Sequence, residues 1–158
     1  MPTQPTRSPA LRGDVALHIS YGWLKDVAWV AQGSRGFVAS VALALSALVF
    51  APAENIPGEE LHVVLKGIVI HGMVVLPSGR AWGVDTILSD RRLKRANPAR
   101  ALTFVECAML RNSALEAILE EFPAEQRRVR RSACWLALRR WVAWVRCVAS
   151  ARSLARDN

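Results

Sequence analysis

The sequence predicts an α+β fold, a small antiparallel β-roll flanked by N-terminal helices and a long C-terminal helix. Between residues 61 and 76, short β-branched runs alternate with two-residue breaks that contain glycine, the pattern of tight hairpins. Helical patterns of apolar residues lie before and after these runs. A chain of 158 residues, 52% of them hydrophobic, is long enough to bury a core in one compact domain.

The N-terminal part is expected to contribute a tail and helices. Residues 1–10 hold three prolines and no apolar run, so we expect a flexible tail and no secretory signal. Residues 11–36 repeat apolar side chains at helical spacing with one break, which predicts two short linker helices. Residues 37–51 carry no charge and are predicted to form the first helix of the domain, starting at Ser34 or Gly36. This segment is shorter than the roughly 20 apolar residues that a membrane span requires.

The strands are expected to form the β-roll over residues 52–110. Residues 66–67 and 71–72 are predicted hairpin turns, because each pair contains a glycine between two β-branched runs. Residues 77–79, Pro-Ser-Gly, predict another turn. A further strand is predicted over residues 101–109.

Residues 112–156 are predicted to form the terminal helices. Ser113 and Glu116 have the spacing of a capping box, so a helix is expected to begin there and to run through Glu121. The last helix, from about Ala124 to Ala155, is expected to cap the roll with its arginines facing water or an acidic partner. One apolar stripe follows this helix at alternating spacings of four and three; it consists of Cys134, Leu138, Trp141, Val145 and Val148.

Composition excludes several functional classes. The net charge of +8 is concentrated in residues 123–158, where nine Arg face only Glu125 and Asp157, so no general nucleic-acid surface is expected. The sequence has no CxxC pair and no pattern of a hydrolytic, metalloprotease or nucleotide-hydrolysing site, and we therefore expect neither a metal site nor an enzyme. The histidines lack metal-ligand spacing, and the cysteines are expected to be reduced, with Cys107 in the core; these residues are His18, His62, His71, Cys107, Cys134 and Cys147.

Residues 82–123 resemble the phosphate-binding cassette and the following strand of cyclic-nucleotide-binding domains. The shared features are, in order, aromatic-Gly, Arg-Ala, Arg-Ala-Leu-Thr-Phe and Leu-Glu-Glu-Phe-Pro. Residues 11–15 and 50–56 are similar to the linker and first strand of these domains in voltage-gated and cyclic-nucleotide-modulated channels. The resemblance implies a jelly-roll-like roll of eight strands, with a short helix inside the cassette and a long helix at the end.

The same resemblance implies which residues form the ligand site. Trp82 and Gly83 match the aromatic-Gly pair that opens the cassette, and Arg95 with Ala96 matches the pair that binds phosphate. The family's next residue after the glycine is a Glu that accepts the ribose hydroxyl, but here it is Val84, followed by Asp85. Valine cannot accept a hydrogen bond, so weak or absent nucleotide binding is expected. Two extra residues precede Arg95, and the alternative phosphate contacts are Arg91, Arg92 and Lys94.

In function, the resemblance implies a cytosolic regulatory domain of a voltage-gated, potassium-channel-like protein of the ether-à-go-go or hyperpolarisation-activated type. Its expected partners are the channel pore and linker, at the inner face of a membrane and in a homo-tetramer. No cofactor is expected, and cAMP or cGMP is the candidate regulatory ligand.

Two alternative functions remain open. One is a soluble cyclic-nucleotide sensor comparable to a kinase regulatory subunit. The other is an interaction module that docks on calmodulin or on an anionic membrane. The second alternative uses the basic terminal helix with Trp135, Trp141 and Trp144, since basic helices with aromatic residues bind both kinds of partner.

Overall fold

The computed structural model describes residues 22, 24, 26–56, 60–95 and 97–154, the residues from 148 onward by backbone only. The predicted tail, residues 11–21 of the predicted linker, Ala96 and the side chain of Val148 lie outside this description. Within it, the chain has the predicted α+β character, with helices before and after the antiparallel strands in the order of the chain.

The described helices and strands follow one another in a simple order along the chain. Four α-helices are described: α1 (Ala28–Ala31), α2 (Arg35–Ala44), α3 (Asn112–Glu121) and α4 (Pro123–Leu154). The first strands are β1 (Ser46–Phe50), β2 (Asn55–Ile56), β3 (Leu61–Lys66) and β4 (Ile68–His71). The later strands are β5 (Val74–Pro77), β6 (Ala81–Trp82), β7 (Ala99–Ala101) and β8 (Val105–Leu110). Two 3₁₀-helices, η1 (Val84–Ile87) and η2 (Arg91–Leu93), lie between β6 and β7.

The eight strands form two four-stranded antiparallel sheets. One has the order β1-β8-β3-β6 and the other the order β2-β7-β4-β5. The chain therefore changes sheet repeatedly as it advances. Side chains of both sheets meet in one apolar core that includes Val64, Val69, Trp82, Val105 and Cys107. Cys107 is thus in the core as predicted, and burial raises the pKa of its thiol to about 11.

Strand β3 has both of its faces covered. Alternate side chains of a strand point to opposite sides. Leu61 belongs to the apolar core under the helices, whereas Val64 belongs to the core between the sheets. This double burial explains why β3 is a continuous apolar run instead of an alternating one.

A buried carboxylate joins the start of α4 to the loop between α1 and α2. Glu125 accepts the backbone N–H of Ser34 at 2.7 Å and pairs with Arg128 at 2.5 Å. Arg128 in turn donates to the carbonyl oxygens of Gln32 and Trp29. Burial alone would raise the pKa of Glu125, but the bonds from Ser34 and Arg128 outweigh it and lower that pKa.

Local predictions for the first helix and the first predicted hairpin need correction. Ser34 does cap α2, since its hydroxyl accepts the N–H of Phe37, but the helix ends at Ala44 and β1 occupies the second half of the predicted helix 37–51. Four of the five β1 residues are not buried, so this apolar segment is not the buried helix that its sequence predicts. The predicted hairpin at residues 66–67 is also wrong, because β3 and β4 belong to different sheets.

Other local predictions hold in part. The hairpin after β4 is confirmed, with His71 paired to Val74. The strand predicted over residues 101–109 is split into β7 and β8. Helix α3 ends at Glu121 as predicted, but Arg111 is its N-cap residue and makes no side-chain capping bond, so Ser113 is inside the helix.

Gly67 provides a test of the passage from one sheet to the other. Its φ is +95°, and an added Cβ would lie 2.2 Å from the carbonyl oxygen of Phe104. We expect Gly67→Ala to lower the free energy of unfolding by about 3 kcal/mol or more, because backbone strain and a steric clash add together.

The matched control is Gly79→Ala. Gly79 also has a positive φ, +87°, but its Cβ would meet nothing within 4 Å. Gly79→Ala should therefore lower the free energy of unfolding only by the cost of the backbone strain, about 1–2 kcal/mol. Denaturant unfolding of both variants measures the difference, and equal losses would contradict the close approach at Gly67.

Candidate functional site

The candidate site is the segment that connects β6 to β7, residues 83–98, which we call the cassette loop. It contains η1 and η2 and carries the chain from one sheet to the other. The structure brings Trp82, Gly83, Val84, Asp85 and Arg95 together in and beside this loop.

Gly83 allows the cassette loop to start. It adopts a left-handed conformation, with φ of 71° and ψ of 20°. An added Cβ would lie 2.0 Å from the carbonyl oxygen of Glu60. Only glycine combines this conformation with so close an approach to the neighbouring backbone.

Trp82 fills the space between the sheets next to the cassette loop. It is 5% exposed and stacks on His62, with ring centroids 4.6 Å apart and planes at 6°. On another side it meets His71 at 6.3 Å. No sequence pattern gives His62 or His71 a role, whereas the structure places both against Trp82, the residue that opens the cassette.

Burial keeps the two histidines uncharged near neutral pH. Burial lowers the pKa of His62, and its Nδ1 donates to the carbonyl oxygen of Glu60 at 2.9 Å, which identifies the tautomer. Its Nε2 is buried and has no hydrogen-bond partner among the described residues. Burial also lowers the pKa of His71, where the charge of Asp85 raises it and that of Arg95 lowers it again. Neutral imidazoles beside Trp82 therefore form an uncharged wall of the site.

Asp85 is the electrostatic centre of the cassette loop. Its carboxylate accepts the backbone N–H of Arg95 at 2.7 Å and pairs with Arg140 of α4 at 2.6 Å. The side chains of Asp85 and Arg140 are only 8% and 17% exposed. Burial raises the pKa of Asp85, but the bonds from Arg95 and Arg140 outweigh it, so the net effect is a lowered pKa.

Arg140 connects the cassette loop to the terminal helix. Besides Asp85, it donates to the carbonyl oxygen of Leu93 in η2. One side chain of α4 therefore contacts both ends of the loop's helical part. Arg140 belongs to no sequence motif described above. Its position does continue a spacing of four and three residues that begins at buried Val129 and passes through half-buried Ala133 and Leu136. This spacing is the sequence signal for the face of α4 that meets the domain.

Val84 contributes its backbone instead of its side chain. The indole N–H of Trp29 in α1 donates to the carbonyl oxygen of Val84 at 3.1 Å. The side chain of Val84 packs against the apolar core under the helices. The cassette loop is thus bonded to both the N-terminal helix and the terminal helix.

The predicted phosphate contacts lie at the surface. Arg91, Arg92 and Arg95 are exposed, and Lys94 is half-buried. Arg92 pairs with Asp90 at 3.2 Å. The backbone N–H of Arg95 is already bonded to Asp85; the residue is exposed, and its charge lies close enough to His71 to lower the pKa of that histidine.

A cavity of about 630 Å³ lies between η1, α3 and α4. Its lining includes Ile87, Leu115, Leu119, Val129 and Cys134. This cavity is distinct from the predicted phosphate site, since none of the basic residues of the cassette loop lines it.

The three tryptophans predicted to bind a partner are not part of this site. Trp135, Trp141 and Trp144 are between 55% and 68% exposed on α4. The apolar stripe predicted along this helix is exposed as well, at Cys134, Leu138 and Val145. The stripe therefore does not cap the sheets, and α4 meets the domain through its other face.

No cluster of His, Cys, Asp and Glu suited to a metal ion occurs in the described part of the chain. Within the same residues, none of the helices has the length and apolar character of a membrane span. No model of a known protein family matches this chain, and no curated protein sequence does so.

The Asp85–Arg140 pair should be a main contribution to the attachment of α4. We expect Arg140→Ala to lower the free energy of unfolding by about 2–3 kcal/mol, because it leaves a buried carboxylate with only part of its hydrogen bonding. Arg139→Ala is the matched control, since Arg139 is the adjacent residue and is exposed. Its effect should stay within about 0.5 kcal/mol. Denaturant unfolding measures both, and similar losses would contradict the role of Arg140.

The lowered pKa of Asp85 predicts a pH dependence of this contribution. A carboxylate whose folded-state pKa lies below its unfolded value of about 3.9 stabilises the fold at pH values above that range. The stability is lost as the pH falls through the folded-state pKa. We therefore expect the difference in unfolding free energy between the wild type and Asp85→Asn to be constant near neutral pH and to shrink below about pH 4. A difference that stays unchanged to pH 2 would contradict this assignment.

Proposed function

We propose that this chain is a regulatory domain of the cyclic-nucleotide-binding type, from a voltage-gated, potassium-channel-like protein, and that it binds cyclic nucleotides weakly or not at all. In this proposal the cassette loop is held by the domain's own helices. It transmits the position of α4 to the N-terminal segment and from there to a channel pore.

The strand order supports the fold in this proposal. The described residues form eight antiparallel strands in two four-stranded sheets, and a jelly roll likewise has eight strands in two sheets. The cassette loop lies between β6 and β7, followed by β8 and two helices. This order is the one that the resemblance to cyclic-nucleotide-binding domains implies.

The observation that carries the proposal is the buried pair of Asp85 and Arg140. A cyclic phosphate brought next to Asp85 would meet a carboxylate, and the cation paired with that carboxylate is already engaged. A ligand would have to separate a largely desolvated ion pair, and leaving either charge unpaired costs several kcal/mol. Competition of this kind favours a closed cassette over a nucleotide-filled one.

The position after Gly83 gives a second reason for weak binding. Val84 has no side-chain acceptor for a ribose hydroxyl, and its carbonyl oxygen accepts the indole N–H of Trp29. A buried polar group of the ligand left without a partner costs about 1–3 kcal/mol, or roughly ten- to a hundredfold in affinity.

A regulatory role is supported by the bonds that join the segments. Trp29 bonds α1 to the cassette loop, Arg140 bonds the loop to α4, and Glu125 bonds α4 back to the loop between α1 and α2. A displacement of α4 would therefore change the bonds that Trp29 and Ser34 make, at the two ends of the segment 29–34. Segments joined in this way can couple two sites if a ligand or partner favours one arrangement of these segments over another.

Titration calorimetry with cAMP and with cGMP tests the proposal. We expect no saturable heat and a Kd weaker than about 1 mM for the wild type. Sub-micromolar binding that is lost in Arg95→Ala and kept in Arg139→Ala would contradict it. That result would instead support the alternative of a soluble cyclic-nucleotide sensor with Arg95 as its phosphate contact.

A further inference from the structure

Helix α4 changes its surroundings at Arg140. Before this residue, positions such as Ala133, Leu136 and Ala137 are half-buried against the domain. After it, every residue of the range 141–147 is exposed. The second half of the helix therefore extends beyond the surface to which Arg140 fastens the first half.

Helix α4 also carries an apolar outer face, which begins before Arg140 and continues beyond it. The outer face consists of Trp135, Leu138, Trp141, Val142 and Val145, which are 68%, 51%, 55%, 36% and 39% exposed. At 100° per residue these side chains fall within roughly a third of the helix circumference, nearly opposite Arg140. Because Arg140 points into the domain, the outer face points away from it.

The charges around the outer face all have one sign. Residues 126–154 contain eight Arg and no Asp or Glu. Arg139 and Arg146 are exposed and lie along one edge of the outer face, and exposed Arg131 lies one helical turn before Trp135, within the angular range of that face. A second copy of this helix would bring the same excess of positive charge against itself, with no acidic residue to compensate it.

We propose that the outer face of α4 binds the surface of an anionic phospholipid membrane. Tryptophan, leucine and valine side chains can enter the headgroup boundary while flanking arginines remain with the lipid phosphates. A flat surface also suits this geometry, since the opposite face of the helix is occupied by the domain. The proposal is independent of the cassette assignment and of nucleotide binding.

Co-sedimentation with vesicles tests the proposal. The full chain should bind vesicles of phosphatidylcholine and phosphatidylserine in equal amounts, and it should not bind vesicles of phosphatidylcholine alone. The binding should weaken as salt is added, because the surface potential of the membrane is screened. Absence of binding to the mixed vesicles would overturn the proposal.

Apolar variants locate the binding surface. Leu138→Ser combined with Trp141→Ser should lower the partition coefficient at least about tenfold, because two buried anchors are lost. Met73→Ser combined with Phe104→Ser is the matched control, since these apolar residues are also exposed, at 97% and 71%, but lie away from α4. The control should bind like the wild type, and equal losses in both pairs would overturn the assignment to the outer face.

Charge variants separate lipid binding from other modes. Arg139→Gln with Arg146→Gln should lower partitioning roughly twentyfold, since each arginine near an anionic surface contributes about fivefold. Lys66→Gln with Arg111→Gln removes the same charge from exposed positions elsewhere and should have little effect. Circular dichroism verifies that all variants are folded. Binding to calcium-loaded calmodulin, or dimerisation through the outer face, without vesicle binding would overturn the proposal.

Discussion

The attachment of α4 to the rest of the domain depends on two buried carboxylates, Glu125 at its beginning and Asp85 in the cassette loop. Each of them accepts a backbone N–H and pairs with an arginine of α4, Arg128 or Arg140. In both cases the hydrogen bonds and the paired charge outweigh burial, so the pKa of the carboxyl is lowered. An arginine-rich helix can therefore lie on an otherwise nearly neutral domain without leaving buried charge unpaired.

These contacts divide α4 into two parts with different surroundings. Up to Arg140 the helix is a structural element, with one face against η1, η2 and the neighbouring helices. Every described side chain beyond Arg140, in residues 141–147, is exposed, including Trp141 and Trp144. A single helix thus carries both the arginine that pairs with Asp85 and the exposed apolar residues of the outer face. Membrane binding at the outer face would displace Arg140 and so change its bonds to Asp85 and Leu93. The proposed membrane binding and the proposed regulatory role are connected in this way, although each can fail alone.

The space beside the cassette is occupied by the protein's own aromatic and imidazole rings. Trp82 lies between His62 and His71, and burial favours the neutral form of both histidines. This packing provides stability at the position where the resemblance to cyclic-nucleotide-binding domains implies a ligand. The proposed regulatory role would use this packing, because packed interiors transmit displacement instead of absorbing it.

The sequence by itself determined the features that depend on local physics. The α+β class, the hairpin after β4, the cap at Ser34 and the end of α3 at Glu121 follow from glycine, capping and β-branched patterns that act over a few residues. The switch of β3 and β4 to different sheets, the conversion of the second half of the predicted first helix into β1, and the pairing of Asp85 with Arg140 were decided by tertiary structure. Strand partners, burial and ion pairs depend on segments distant in sequence, so an apolar run cannot indicate alone whether it pairs as a strand or packs as a helix. For the same reason, the spacing of the apolar stripe of α4 is typical of a packing face although the stripe is exposed. Only the tertiary structure shows that the opposite side of the helix, with Arg140, faces the domain.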